Sequence, residues 1–346
     1  YCLFRVHGLL DRWLCMDSLE DMAIQPKQLD RWDVLLSEFK REGIYCHLVI
    51  FSFGLYERSS ANGTTFDERD KRKLQLYLGG DWERAHFRYG AETILNHVNP
   101  YTGLAWQDDP AIAFLEFYNE QELGLDRMGQ TLVDHPETRA FLERSWRDWL
   151  LARHGKTVPP ELLGELNGTA LVAAPLPPLH DRKSELANEF ALFRMHITEQ
   201  SARWCEEVVR GTGYPGLTTQ YNASKKLGES AVRWKVSQVV DMHAYYRHPA
   251  GGWGAAGTRV EQSSSLADDA GYWRNTNSTR LSGRPFIVSE FNHCFWNPYQ
   301  HEGGLVFSAY SALQGFSALQ IHSGPVTLQA TNPKVGSFTC GASPVV

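Results

Sequence analysis

Pro285-Phe286-Ile287-Val288-Ser289-Glu290-Phe291-Asn292-His293 is the stretch on which the fold turns. Phe286 to Val288 is a short apolar run with the composition of a buried strand, and the run gives way to a carboxylate, Glu290. By itself this is equally an edge strand ending in a solvated glutamate. A second stretch of the same design, Ala111-Ile-Ala-Phe-Leu-Glu-Phe-Tyr-Asn-Glu120, favours the other reading. Two buried strands that each end in Glu bring two carboxylates to one cleft, and barrel enzymes keep their chemistry at the C-terminal ends of parallel strands.

Working outward, residues 1–7 read as a strand with Arg5 and His7 on one face and Phe4 and Val6 on the other. Pro26 opens a helix with Leu29, Trp32, Leu36 and Phe39 at helical spacing and Gly43 as its stop, and Ile44 to Phe51 is the next strand. That strand, helix, strand order points to a parallel sheet. Residues 52–91, with the charged run Asp67 to Lys73, read as a loop with room for a short helix, and Ala91 to Val98 as helical. A long excursion over 121–183 holds a helix around Phe141 to Arg153 and a proline-rich connector.

Further on, Glu185 to Val209 is a long helix, and strands are expected at 217–221, 239–245, 285–289 and 318–322. Helices are expected near Leu266 to Leu281 and from Gly304 to Gly315. With the strands at 1–7, 44–51 and 111–118, the pattern predicts an α/β fold, a (β/α)8 TIM barrel whose first strand lies upstream of Tyr1. The barrel is expected over 1–323, with long loops at 52–91, 121–183 and 246–280, and 324–346 as a tail or linker.

Composition narrows the class of function. A chain of 346 residues can bury the core of one large barrel, and 21% charged with 42% hydrophobic residues is ordinary for a globule. A formal net charge of −6 argues against nucleic acid as the partner, since phosphate binding needs a basic surface. No apolar run spans a membrane and no signal peptide opens the sequence. Eleven Trp and 14 Tyr suit stacking on flat apolar faces such as sugars, although core packing accounts for most aromatics. The six Cys lack paired spacing, so neither a disulfide framework nor a zinc site is expected. His301-Glu-Gly-Gly304 lacks the second His of a helical zinc motif, and the Asn-x-Ser/Thr matches at Asn62, Asn167, Asn222 and Asn277 are cheap patterns.

Glycoside cleavage needs one carboxylic acid to protonate the leaving oxygen and one carboxylate to attack or to activate water. In this light the sequence resembles the retaining (β/α)8-barrel glycoside hydrolases of clan A, and most of all family-5-like bacterial enzymes, relatives of cellulases, β-mannanases and β-galactosidases. The resemblance rests on Asn119-Glu120 at the fourth barrel strand, Ser289-Glu290 at the seventh, Arg5 and His7 on the second and His243-Ala-Tyr245 on the sixth. It implies Glu120 as acid/base, Glu290 as nucleophile and Asn119 as the ligand of the sugar 2-hydroxyl.

His243 and Tyr245, two apart on a strand, point the same way, and one of them, Tyr245 first, donates to Glu290. Arg5 favours the anionic nucleophile. His7, His47, His293 and His322 stand at strand ends where sugar hydroxyls come within reach, with a structural histidine the equal alternative for each. Trp253, Trp273, Phe295 and Trp296 are candidates to stack on pyranose rings, and Glu116 for a buried ion pair with a barrel Arg. The resemblance further implies an oligo- or polysaccharide substrate, no metal or organic cofactor, no membrane partner, and a secreted or periplasmic setting. Two other readings stay open: a non-catalytic or incomplete carbohydrate-binding barrel, and a metal-assisted barrel hydrolase, which needs a His/Asp cluster at the strand ends.

Overall fold

Parallel strands alternating with helices make up the computed structural model, which describes residues 2–6, 8–10, 24–51, 66–120, 123, 129–181, 183–220, 222–251, 257–268 and 271–322. In chain order come β1 (Cys2–Val6), α1 (Pro26–Arg41), β2 (Ile44–Phe51), α2 (Phe66–Leu78), α3 (Asp81–Leu95) and β3 (Ile112–Tyr118). Then follow α4 (Gly129–Asp134), α5 (Pro136–His154), α6 (Leu163–Leu166), α7 (Glu185–Gly211), β4 (Leu217–Thr219), α8 (Leu227–Val236) and β5 (Val240–Tyr246). The last are α9 (Gly271–Asn277), β6 (Phe286–His293), α10 (Ser308–Gln314) and β7 (Ala318–Ile321).

The strands pair in the orders β1-β2-β3-β4 and β5-β6-β7, every pair parallel. Both seams between the two sheets are bridged. At one, Thr219 Oγ1 donates to the Val239 carbonyl at 3.1 Å and the His243 amide to the Asn222 carbonyl at 2.5 Å. At the other, Gln320 Nε2 donates to the Leu3 carbonyl at 3.4 Å. The two sheets thus enclose one interior, the arrangement of the expected α/β barrel. Cys46, Leu48 and Ile50 of β2 join Leu36 of α1, Phe87, Ala91 and Ile94 of α3 and Val208 of α7 in the outer core, while His47, fully buried, belongs to the polar interior. A strand buried on both faces has no polar alternation to show, as is usual in parallel sheets.

Several expectations are corrected. Residues 52–91 are not mainly loop: 66–95 holds α2 and α3. Leu74, Leu76 and Tyr77 of α2 and Phe87, Ala91, Ile94 and Leu95 of α3 are buried, so tertiary packing stabilises helices whose sequence is mostly charged. Of the helix expected near 266–281, the described residues hold α9, Gly271–Asn277. The one expected from Gly304 begins as a π-helical turn over Gly303–Phe307, where Gly303 approaches His293 so closely that a Cβ would stand 2.7 Å from its Nδ1. Residues 324–346 lie outside the described residues. Among the described residues no helix is long and apolar enough to cross a membrane.

The strand expected to stop at Ser289 continues to His293, so Glu290 lies inside β6, and a register shift aims it. Met242 pairs with Val288 and His243 with Glu290, leaving Ser289 as an extra residue on β6. Such a bulge lets two consecutive side chains turn to the same side, a device common beside active sites.

Candidate active site

At the floor of the barrel interior, Arg5 joins both sheets. Its Nη2 and Nε donate to Glu116 Oε2 at 2.8 and 3.1 Å, Nη2 also to Asn119 Oδ1 at 2.8 Å, and Nη1 to Glu290 Oε1 at 2.5 Å. Glu116 is fully buried, with His47 Nε2 at 3.2 Å from Oε2 and Asn222 Nδ2 donating to Oε1 at 2.5 Å. The expected buried pair of Glu116 with a barrel arginine is therefore present, and its partner is Arg5.

Above this floor, Glu120 stands just past β3 with φ of +51°, the left-handed region that a non-glycine residue enters only at a cost. Two contacts hold it there: its amide donates to Asn222 Oδ1 at 2.8 Å, and its carbonyl accepts from Lys73 Nζ of α2 at 2.5 Å. Its carboxylate reaches His243 Nδ1 at 3.0 Å, and the same nitrogen is 3.5 Å from Glu290 Oε2. Tyr245 OH donates to Glu290 Oε2 at 2.5 Å, and His322 Nδ1 lies 3.6 Å from that oxygen. Oxygens of Glu120 and Glu290 come within 4.8 Å of one another.

The charges follow from these contacts. Burial pushes the Glu116 carboxyl up, but the Arg5 guanidinium and His47 outweigh it and hold it at about 2. Burial works against a charged His243, yet Glu290 and Glu120 together raise it to about 9. Burial likewise raises Glu120, but the bond from His243 prevails and the net direction is down. Burial raises the Tyr245 phenol, with Glu290 adding to it, so Tyr245 stays a donor. Burial and the neighbouring Glu116 raise Asp241, and burial lowers His322.

Of the residues expected from sequence, Arg5, Asn119, Glu120, His243, Tyr245, Glu290 and His322 converge on one place. His7 and Trp253 lie outside the described residues. Trp296 follows β6 and is 54% exposed, its ring beside Phe295, in a position open to solvent. Trp273 is corrected: it is buried and stacks on Phe307 in the outer core. Of the two readings of His293 the structural one holds, since it is buried against Ser265 and Tyr246 rather than facing a cleft. Beside Tyr245 opens a cleft of about 910 Å³ whose walls include Arg247, His248, Arg259 and Asn275.

Sequence reasoning missed Asn222, Asp241 and Lys73. Asp241 sits two residues before His243, so strand parity alone places it on the same side, one layer deeper. Asn222 was visible only as a glycosylation match, and it is fully buried.

Two groups of ligating atoms bear on the metal-assisted reading: His47, Glu116 and Asp241, and Glu120, His243 and Glu290. In the first, Glu116 already accepts from Arg5 and Asn222, so a cation there meets a guanidinium at hydrogen-bond distance. In the second, the ligand atoms already have hydrogen-bond partners: His243 Nδ1 meets Glu120 at 3.0 Å and Tyr245 OH donates to Glu290 Oε2.

No protein-family model matches the chain. Over 48 residues, 14% of this chain and 12% of the relative, it is 40% identical to an Arabidopsis thaliana protein provisionally named mannan endo-1,4-beta-mannosidase 4. Among solved structures it is similar to the endo-1,4-beta-D-mannanase of Thermotoga petrophila, with TM-score 0.51 and 11% identity over 92% of this chain and 79% of that one. It is similar to a glycoside hydrolase family 5 mannosidase of Rhizomucor miehei, with TM-score 0.51 and 12% identity over 99% and 77%. It also resembles a beta-galactosidase of Bacillus circulans, with TM-score 0.58 and 14% identity over 95% of this chain but 47% of that one. At such identities the likeness establishes the fold, a TIM barrel shared with clan A glycoside hydrolases.

Proposed function

We propose that the chain is a retaining glycoside hydrolase acting on β-linked glycosides or polysaccharides, with Glu120 as acid/base and Glu290 as nucleophile. The observation that carries this reading is the approach of their oxygens to within 4.8 Å. Retaining enzymes hold the two carboxyls about 5–5.5 Å apart, whereas inverting ones leave about 6.5–9.5 Å for a water.

The surroundings divide the labour between two like groups. Glu290 receives Arg5 on one oxygen and Tyr245 on the other, which supports an ionised, oriented nucleophile. Glu120 shares a proton with His243, and that proton is the one the leaving oxygen takes as the bond to the anomeric carbon breaks. Glu290 meanwhile attacks the same carbon and forms the glycosyl-enzyme. Water activated by Glu120 then displaces the sugar. Asn119, its Oδ1 held by Arg5, turns its amide NH2 to the 2-hydroxyl. The mannanases among the similar proteins make β-mannan the first polymer to try, and the beta-galactosidase puts β-galactosides next.

The test is to incubate the protein with aryl β-mannosides, β-glucosides and β-galactosides and with mannan and glucan, and to follow product anomers by proton NMR. Retention is expected, together with loss of turnover in Glu120→Gln and Glu290→Gln. Inversion, or turnover unchanged in both variants, overturns the proposal. One observation favours a non-catalytic carbohydrate-binding barrel instead: His243 holds Glu120 below the usual carboxylate range. That reading expects a wild-type protein that binds sugar without turnover, and a Glu290→Gln variant with unchanged affinity.

A further inference from the structure

Asp241 lies beneath the two carboxylates, fully buried, and both its oxygens are engaged with the residue that precedes Glu290. Oδ1 accepts the Ser289 amide at 3.1 Å, and Oδ2 accepts the Ser289 hydroxyl at 2.7 Å. Asn222 Nδ2 is a third donor, 3.4 Å from Oδ2. Three donors around one carboxyl favour its ionised form. With its proton committed to Asp241, Ser289 Oγ turns a lone pair to His243 Nε2, 3.2 Å away. That nitrogen must then carry hydrogen, because which imidazole nitrogen is protonated is set by the partner it meets.

We propose that Asp241, acting through Ser289, is a positioning residue: it keeps the Nε2 proton on His243, so that the second proton of the ring lies on Nδ1 towards Glu120, and it fastens the bulge that aims Glu290. The functional part rests on the hydrolase reading above; the hydrogen-bond relay does not. No other residue on β5 does this, since Met242 points to the outer core. Among the described residues, the charged and titratable groups that act on His243 are Glu120 and Glu290 at the cleft, Arg5 from β1, Glu116 from β3, Asp241 from its own strand and His322 beyond β7. Arg5 and His322 are present whichever way the relay runs, so they do not choose the tautomer.

The direction of the relay is open to chemistry. Replacing Asp241 with Asn puts an NH2 group opposite Ser289 Oγ. The hydroxyl then donates to His243 Nε2, and the ring keeps a single proton on Nδ1. Protonation of Asp241 at acid pH does the same to the wild type, and burial with Glu116 nearby moves that event upward.

The experiment is nitrogen-15 NMR of the imidazoles in the full chain, with His243 assigned by its disappearance in His243→Gln. At pH 8 the wild type is expected to show both ring nitrogens protonated. Asp241→Asn is expected to show Nε2 unprotonated at pH 8, with a titration midpoint lower by about two pH units or more, a change of about a hundredfold in the equilibrium. Ser289→Ala, which keeps the Asp241 charge and removes only a hydroxyl, is expected to lower the midpoint as well. In turnover, both variants are expected to lose kcat by about tenfold with KM little changed. A protonated Nε2 in folded Asp241→Asn at pH 8, or an unmoved midpoint in Ser289→Ala, overturns the relay. Should the wild type cleave no glycoside, the hydrolase reading fails while the NMR result still decides this one.

Discussion

Arg5 Nη1 and Glu290 Oε1 stand 2.5 Å apart although β1 and β6 belong to different hydrogen-bonded sheets. The same guanidinium holds Glu116, so one cation is shared by a buried structural carboxylate and a carboxylate of the candidate site. Arg5→Ala therefore leaves Glu116 charged without its counter-ion. A loss of about 3–5 kcal/mol is expected, the usual cost of stranding a buried charge. Urea unfolding measures it, and a change below about 1 kcal/mol would show that His47 and Asn222 suffice for Glu116.

Tyr245 is expected to matter for chemistry rather than for folding. Its hydroxyl donates to Glu290 Oε2, a bond to a charged acceptor of the kind that contributes about 1.5–3 kcal/mol. Tyr245→Phe keeps the ring and its edge contact with His322. It should lower kcat/KM by about 10- to 100-fold with an unchanged circular dichroism spectrum. Activity within a factor of about two of wild type removes Tyr245 from the mechanism.

Much of this site was legible before any coordinates, for a reason specific to parallel barrels. Strand runs such as Ile44 to Phe51 announce themselves by apolar content, and residues placed two apart on a strand share a face, which brings His243 and Tyr245 together. The helices over 66–95 were only partly legible, because the buried apolar side chains of α2 among the described residues, Leu74, Leu76 and Tyr77, follow the charged run that ends at Lys73. Ser289 stands out in the sequence only as the neighbour of Glu290. Its role depends on one extra residue in β6, and a bulge leaves no local mark in sequence. Asn222 and Lys73 act on the backbone of Glu120, and backbone partners carry no pattern along the chain.

Lys73 gives a third expectation. Its ammonium bonds the Glu120 carbonyl from α2, an element that otherwise packs on the outside of the barrel. Removing it with Lys73→Met keeps the buried aliphatic stem and frees one side of a left-handed residue. The Glu120 carboxyl should then sample other orientations, with kcat lowered about tenfold or more on the proposed reading and melting little changed, as when a supporting partner of a site residue is lost. A variant with wild-type kcat would mean that Asn222 alone holds Glu120.

The pH dependence of stability should carry the mark of His243. Its pKa in the folded chain is about 9 against 6.5 for the free side chain, so the folded state binds the proton more tightly than the unfolded one. By linkage, the stabilisation is fully present below 6.5 and is lost as pH rises through about 9. Two other buried histidines act in the opposite sense. Burial lowers His86 and His293 to about 4, so each stabilises the fold in its neutral form above 6.5, and that contribution is lost as pH falls towards 4. Glu116, at about 2, begins to contribute a loss only below its ordinary value of 4.5. On these groups the stability maximum lies near pH 6.5, with the alkaline side assigned to one residue. Chemical denaturation at pH 6.5, 7.5 and 9 measures that side in wild type and in His243→Gln, which cannot titrate. The wild type should lose stability across the series and the variant should lose less, so that the two curves converge at the alkaline end. Parallel curves would mean that His243 is neutral in the folded protein, and the charge balance around Glu120 and Glu290 would have to be redrawn.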